Sequence, residues 1–415
     1  MNVLPGHAVL LAFEGPDPYS LVGGLGTRVT ELSAALAEAG TRTTLVFVGD
    51  PQRAAIEQAG PNLEYRRWCQ WISTYHPGGV YDGEDGKSKD FAASVPPFVT
   101  DSIVAPAAER GETVLVVAED WQTAPAIVAL ERLLRERGLR ERAILLWNAN
   151  NTYGFDAIDW AALAAAARIT TVSRVMKFEL QARGVDALVI PNGIPKRIAG
   201  GPSDALVRLL HDCLAGRHPL FVKVGRYDED KRWMQAIDAF AHLRARHPNA
   251  TLVVRGGREP YGETVLARAR DLGLKVDDVR VPSREPAAFL AELAAARAPI
   301  VDLRTFVPEA LLFAFYRVAD AVLANSGFEP FGLVGLEVMA AGGVAVVGST
   351  GEDYAQPFEN AIVCDTGDPA ELAAYLEALV DEPALARTIR AAGAATAERC
   401  TWPAVLEILA RKLAF

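Results

Sequence analysis

Two carboxylates, Glu329 and Glu337, stand eight positions apart in SGFEPFGLVGLEVMAAGG (326–343), where almost every other residue is apolar or small. A carboxylate in such surroundings is costly to bury alone and needs hydrogen-bond donors. Sugar hydroxyls are suitable donors. The plainer alternatives are a local cap or ion pair for Glu337 and an ordinary loop acid at Glu329. A second cluster lies in VGRYDEDKRW (224–233), where Arg226 and Lys231 flank a turn holding Asp228, Glu229 and Asp230. The guanidinium fork and the ammonium point charge together suit a diphosphate. In a solvated loop the same bases would simply pair with the neighbouring acids. A third candidate is LVGGLGTRVTEL (21–32). Its glycines Gly24 and Gly26 let the backbone approach a ligand, and the N-terminus of the helix that follows offers N–H groups to a phosphate. Steric demands alone also make strand-to-helix turns glycine-rich, and GGLG is not the G-x-G-x-x-G dinucleotide fingerprint. No metal site is expected. The acids at 228–230 lack the spaced oxygen ligands of a hard-cation loop, and Cys69, Cys213, Cys364 and Cys400 form no zinc-type pair.

These residues need elements to hold them. Short β-branched runs, HAVLLAF (7–13), TTLVFVG (43–49), TVLVVA (113–118), AILLW (143–147), ITTVS (169–173) and ALVI (187–190), alternate with helical patterns such as TRVTELSAALAEAG (27–40). Alternation of this kind predicts parallel sheets covered on both faces. The pattern breaks at PKRIAGGPSD (195–204), a Pro- and Gly-rich linker, and restarts at PLFVKVG (219–225), TLVVRGG (251–257), ADAVLA (319–324) and GVAVVG (343–348). In this reading GFEPFG is a turn at the carboxyl end of a strand, and the helix after it carries Glu337 about a turn and a half in. The backbone N–H groups of Phe331, Gly332 and Leu333 would then point towards a phosphate. The segment from about 65 to 100 reads as an irregular aromatic loop that either faces substrate or is a plain insertion.

At 415 residues the chain exceeds one ordinary core. Its net charge of −10 argues against nucleic acid or anionic lipid as a main partner. The N-terminus reads as a first strand rather than a signal peptide, no run is apolar enough to span a bilayer, and the expected location is the cytoplasm.

The spacing of Glu329 and Glu337 inside FEPFGLVGLEVMAAG resembles the E-x7-E signature of the retaining glycosyltransferases of family 4, the glycogen synthase-like enzymes. GGLG (23–26), VIPNGI (189–194), GRYDEDK (225–231, a G-R-x4-K match) and CTWPAVLEILARKLAF (400–415) follow the family's order along the chain. The resemblance implies a GT-B fold, two Rossmann-like domains facing across a cleft. An acceptor domain over 1–198 would be joined by the helix 400–415, with a nucleotide-sugar donor domain over 199–399. It implies that Arg226 and Lys231 hold the diphosphate, Glu329 contacts sugar hydroxyls, Glu337 contacts ribose hydroxyls, and Gly24 and Gly26 let the first loop close over the phosphates. It further implies no metal and no cofactor, the NDP-sugar being a substrate. The reaction would be transfer of a hexose such as glucose to a soluble saccharide or small-molecule acceptor. The family histidine expected after AILLW is missing; AILLWNANNTYG (143–154) offers Asn148 or Asn150 for the sugar contact instead. K-T-G-G-L reads Leu21-Val22-Gly23-Gly24-Leu25, so its lysine is replaced by Leu21, and D-W-H-T reads Asp120-Trp121-Gln122-Thr123. These departures argue against glycogen synthesis itself. They keep open a catalytically weak sugar-nucleotide-binding or regulatory protein, and a GT-B epimerase or phosphorylase.

Overall fold

The structure, a computed structural model, describes residues 4–281 and 285–414. Residues 1–3 of the expected first segment and residue 415 of the expected last helix lie outside them. The chain divides into two compact units, Met1–Pro195 with Trp402–Phe415, and Lys196–Thr401. The division at 195/196 falls in the Pro- and Gly-rich segment.

In the first unit the strands are β1 (His7–Leu11), β2 (Arg42–Val48), β3 (Ile56–Gly60), β4 (Leu63–Trp68), β5 (Val114–Glu119), β6 (Ala143–Ala149), β7 (Arg168–Thr171) and β8 (Leu188–Val189). They form one sheet in the order β3-β4-β2-β1-β5-β6-β7-β8, parallel except for the β3–β4 pair. Every residue of β1 and β5 is buried, as expected of parallel strands covered on both faces. The helix Gly24–Glu38 packs Leu25, Val29, Leu32 and Leu36 into a core shared with Leu10, Leu45 and Leu115. The last helix, Trp402–Leu413, adds Trp402, Val405, Leu406 and Leu409 to that core.

The second unit holds β9 (Leu220–Val224), β10 (Thr251–Arg255), β11 (Val276–Val279), β12 (Ile300–Leu303), β13 (Ala321–Ala324), β14 (Ala345–Val347) and β15 (Ile362–Val363). They are all parallel, in the order β11-β12-β10-β9-β13-β14-β15. In each unit the order runs outwards in both directions from the first strand. The switch points therefore lie between β1 and β5 and between β9 and β13, and open α/β sheets bind ligands at the carboxyl ends beside such points.

One expectation is corrected. The segment 65–100 is not an irregular loop: β4 and the helices Gln70–Ser73 and Glu84–Val99 fill most of it. Gly86, Pro96 and Pro97 mask the helical signal in the sequence, yet Phe91, Val95 and Val99 recur at four-residue spacing and are buried. A π-helical turn, Thr100–Val104, follows the two prolines. Lys87, fully buried, closes the turn before the helix by donating to the carbonyls of Gly79, Val80 and Asp82 and to the Tyr19 hydroxyl.

Candidate functional site

In each unit several of the polar side chains lie at the carboxyl ends of the strands. In the second unit, β9 runs directly into the Arg226 loop. Arg226 is exposed, and its guanidinium makes no hydrogen bond or ion pair with a described residue; its carbonyl accepts from Trp233 Nε1 at 2.7 Å. Asp228 caps the following turn by accepting from the Asp230 N–H at 3.1 Å, and the Asp230 carbonyl accepts from the Gly327 N–H at 2.6 Å. That last bond joins the loop after β9 to the loop after β13. Across it Lys231 pairs with Glu329, whose Oε1 also accepts from Ser326 Oγ at 2.6 Å. Two of the residues singled out in the sequence thus meet as an ion pair, the lysine side chain 24% and the carboxylate 18% exposed, open to solvent and to a ligand.

Beyond Glu329 the chain turns through Gly332, whose φ of +78° is a left-handed conformation that L side chains adopt at a cost. The helix Leu333–Ala340 starts there, with its first N–H groups unpaired by the helix itself. Phe331 is buried against Tyr354 at 5.6 Å between ring centroids, and the Tyr354 hydroxyl donates to the Gly332 carbonyl. Glu337, half-buried in the second turn of the helix, lies close enough to Tyr316 to help burial hold that phenol's pKa far above its ordinary value. A cavity of about 670 Å³ opens beside Tyr227 at the ends of β10 and β12, lined by Gly256, Gly257, Arg258, Arg304 and Thr305 among others.

In the first unit the glycine loop does not stand empty. Glu14, buried just past β1, accepts from the N–H groups of Gly23 and Gly26 at 3.0 Å each and of Val22 at 3.2 Å, all on Oε2. Its Oε1 accepts from the Tyr81 hydroxyl at 2.5 Å. The protein's own carboxylate fills the cradle that the sequence offered to a phosphate. Gly26 is required by this approach, since a Cβ there would lie 2.9 Å from Glu14 Oε2; at Gly24 a Cβ would meet nothing within 4 Å.

Asn148 and Asn150 are likewise engaged. Glu119 Oε2 accepts from Asn148 Nδ2 at 2.9 Å and Asn150 Nδ2 at 2.6 Å, while Asn148 Oδ1 accepts from Thr170 Oγ1 at 2.8 Å. Asn148 is fully buried, with its amide oriented by Glu119 and Thr170. Glu119, also fully buried, pairs with Arg28, whose Nε lies 3.2 Å from both carboxylate oxygens. Arg28 Nη1 donates to Asn192 Oδ1 at 2.6 Å, and the guanidinium sits 5.8 Å from the Trp402 ring centroid. This arginine therefore joins the GGLG helix, the VIPNGI segment and the last helix.

Next to Glu119, Asp120 has φ 64° and ψ 172°, a combination nearly restricted to glycine. Its carboxyl accepts from the Asn150 N–H and from Asn151 Nδ2, both at 2.8 Å. Burial pushes its pKa up to about 7; the Asn150 N–H opposes the shift and Glu119 adds to it. Sequence reasoning passed over Glu14, Arg28, Glu119 and Lys223, and named Asp120 only as part of the D-W-H-T match, without a role. For Glu14, Glu119 and Asp120 the available signal was an acid directly after an apolar strand, and for Lys223 a lone cation inside one. A cavity of about 1100 Å³ lies around the starts of β6, β7 and β8, away from all of these groups.

With this geometry in view, the comparisons with known proteins are specific. The family described as glycosyl transferases group 1 matches residues 214–396. The chain is 32% identical over 173 residues to a glycogen synthase of Mycobacterium tuberculosis, covering 41% of this chain and 36% of that protein. It is 29% identical over 250 residues to a phosphatidyl-myo-inositol mannosyltransferase of Mycobacterium leprae, covering 59% and 58%. It spans between about a third and three fifths of the length of these two relatives. In three dimensions it resembles the sucrose-phosphate synthase of Thermosynechococcus elongatus with a TM-score of 0.66 at 19% identity, over 98% of this chain and 99% of that one. Among the described residues no helix is long and apolar enough to cross a membrane. Residues 214–396 match the family described as glycosyl transferases group 1, and the chain as a whole has the GT-B fold of that sucrose-phosphate synthase.

Proposed function

We propose that the protein transfers a hexose, glucose in the first instance, from an NDP-sugar to the hydroxyl of a saccharide or small-molecule acceptor. The reaction would retain anomeric configuration without metal or cofactor. The observation that carries this reading is the cluster at the end of β9: an exposed Arg226, the Lys231–Glu329 pair and the helix N-terminus after Gly332. Charge building on a departing nucleoside diphosphate is stabilised by positioned cations and N–H groups, usually the largest single term in such catalysis. As the diphosphate binds, Lys231 turns from Glu329 to the phosphate and Glu329 is freed for sugar hydroxyls. Glu337 takes the ribose. Attack and departure on the same face of the sugar require no protein nucleophile, and the two glutamates are not the acid–base pair of a glycoside hydrolase.

The first unit is assigned the acceptor, with Asp120 and the Glu119 network fixing the shape of its strand-end loops. Gly26 is assigned to loop geometry around Glu14, while Gly24, whose N–H takes no part in that network, stays assigned to the donor phosphates. A second reading, a sugar-nucleotide-binding protein of weak activity, is favoured by one observation: Asn148 and Asn150, the two candidates for the missing family histidine, both donate to Glu119.

The test is thermal stability against a panel of UDP-, ADP-, GDP- and TDP-sugars, with Glu337→Ala as control. A ligand that binds only the folded state raises the melting temperature. A selective rise lost in the variant identifies the donor, and turnover with that donor and an acceptor panel separates the transferase from the binding protein. Melting curves unmoved by every donor would overturn both readings.

A further inference from the structure

Lys223 is the fourth residue of β9, two positions before Gly225, and is 2% exposed. Its Nζ donates to Asn325 Oδ1 at 2.5 Å and to the Leu323 carbonyl at 3.2 Å, and it lies 5.0 Å from the centroid of the Trp233 ring. Asn325, fully buried, is held in this orientation by Gln235, whose Oε1 accepts from Asn325 Nδ2 at 2.9 Å; Gln235 in turn donates to the carbonyls of Thr366 and Asp368. Among the described residues, none of the groups in contact with Nζ is a carboxylate. A buried ammonium here has three N–H groups for two carbonyl acceptors and no counter-ion, whereas a neutral amine has two N–H groups for those same two acceptors.

The charged and titratable groups that face it come from three directions. Lys231 and Arg232 on the loop after β9 repel a positive charge, and Glu329 on the loop after β13 attracts one but is already paired with Lys231. Cys364 beyond β15 is held neutral, its thiol pushed up to about 12 by burial. The local field is thus cationic, and it is unbalanced until an anion arrives on the Arg226–Lys231 loop.

We propose that Lys223 is a positioning residue that takes a proton from solvent when the donor diphosphate binds, so that donor binding by this chain is coupled to proton uptake. The inference rests on the donor-site reading above. The diphosphate supplies the missing negative charge beside the end of β9, the Lys223 amine lone pair accepts one proton from the buffer, and the resulting cation adds to the field that holds the leaving group. It acts without touching the ligand, through its charge and through Asn325, which directly precedes Ser326 and the Glu329 loop. The poise of the amine agrees with this. Burial, helped by Lys231 and opposed by Glu329, lowers its pKa to about 7, so a modest added field changes its protonation near neutrality.

The experiment is calorimetric titration of the full-length protein with NDP-glucose, whose diphosphate has no proton to exchange near neutral pH, in buffers of different ionisation enthalpy. The dependence of the observed heat on buffer enthalpy counts protons. The wild type is expected to take up roughly half to one proton at mildly alkaline pH and almost none at mildly acidic pH. Its donor affinity should weaken by up to about tenfold per pH unit above neutrality. Lys223→Met should bind without this uptake and with a flat pH profile. Equal uptake in wild type and variant would overturn the inference. So would wild-type binding with no uptake at any pH, a result that does not depend on whether the variant folds. Absence of binding by every nucleotide-sugar would instead remove the donor-site reading, and this inference with it.

Discussion

If Glu14 is the resident anion of the glycine loop, removing its carboxylate should loosen the first unit, and a small carboxylate should repair it. Glu14→Ala deprives three backbone N–H groups and the Tyr81 hydroxyl of their acceptor. A hydrogen bond to a charged acceptor contributes about 1.5–3 kcal/mol, and a buried donor left without one costs a similar amount. Val22 is 47% exposed, so water replaces part of the loss there, whereas the Gly26 N–H is buried and has no such relief. The net destabilisation is about 3 kcal/mol. For a unit of this size one kcal/mol moves the melting temperature by about 2–4 °C, so the expected drop is roughly 6–12 °C. Formate fits the vacated position and binds only the folded variant, so it should recover part of the drop in Glu14→Ala and leave the wild type unmoved. A variant that melts with the wild type, or formate stabilising both proteins equally, would refute the assignment and return the loop to the pool of phosphate sites.

Arg28→Leu leaves Glu119 buried with only two amide donors and should cost about 3–5 kcal/mol in urea denaturation. Adding Glu119→Gln should recover part of that loss, and strictly additive effects of the two changes would count against a coupled pair. Glu337→Ala should mainly raise the KM for the donor and Glu329→Ala mainly lower kcat; steady-state kinetics indistinguishable from wild type for either variant would remove that assignment. The Asp120 carboxyl, pushed up to about 7, holds a proton in the folded state that the unfolded chain has already released above its ordinary value near 4. Its contribution to stability is therefore full below about pH 4 and is lost as pH rises to about 7. Asp120→Asn should flatten that slope in denaturation measured across this range, and an unchanged slope would show that another group titrates there.

How much of this was legible beforehand depends on whether a feature is local. Buried parallel strands announce themselves as apolar runs, so β1, β2, β5, β9 and β10 lie close to the segments picked out in the sequence. β11, VDDV, has two acids in four residues and gives no such signal. The Lys231–Glu329 pair was within reach because both residue types belong to motifs with fixed spacing around one switch point. Asn148 was not. In the sequence it is an amide at a strand end, free to meet a sugar; in the fold, Glu119 on the neighbouring strand has taken its Nδ2 and Thr170 its Oδ1.

The same holds for Glu14 and the glycine loop. Polar groups at the ends of buried strands must all be satisfied, and the partners come from whichever loops the sheet order brings alongside. A loop of N–H groups fits a phosphate and a glutamate equally well, and only the neighbour supplied by the topology decides between them. The residues that decided it here, Glu14, Glu119 and Asp120, each sit one to three positions beyond or at the last residue of an apolar strand. An acid in that position can meet the loops of adjacent strands before any ligand does, so the number of such acids at a strand-end cluster bounds how many of its donors remain for substrate. In the second unit Glu329 takes Lys231 and Glu259 takes the Tyr227 N–H at the end of β9, while the Arg226 guanidinium is left exposed. That difference in what is already occupied is the physical reason to seat the donor diphosphate on the second unit.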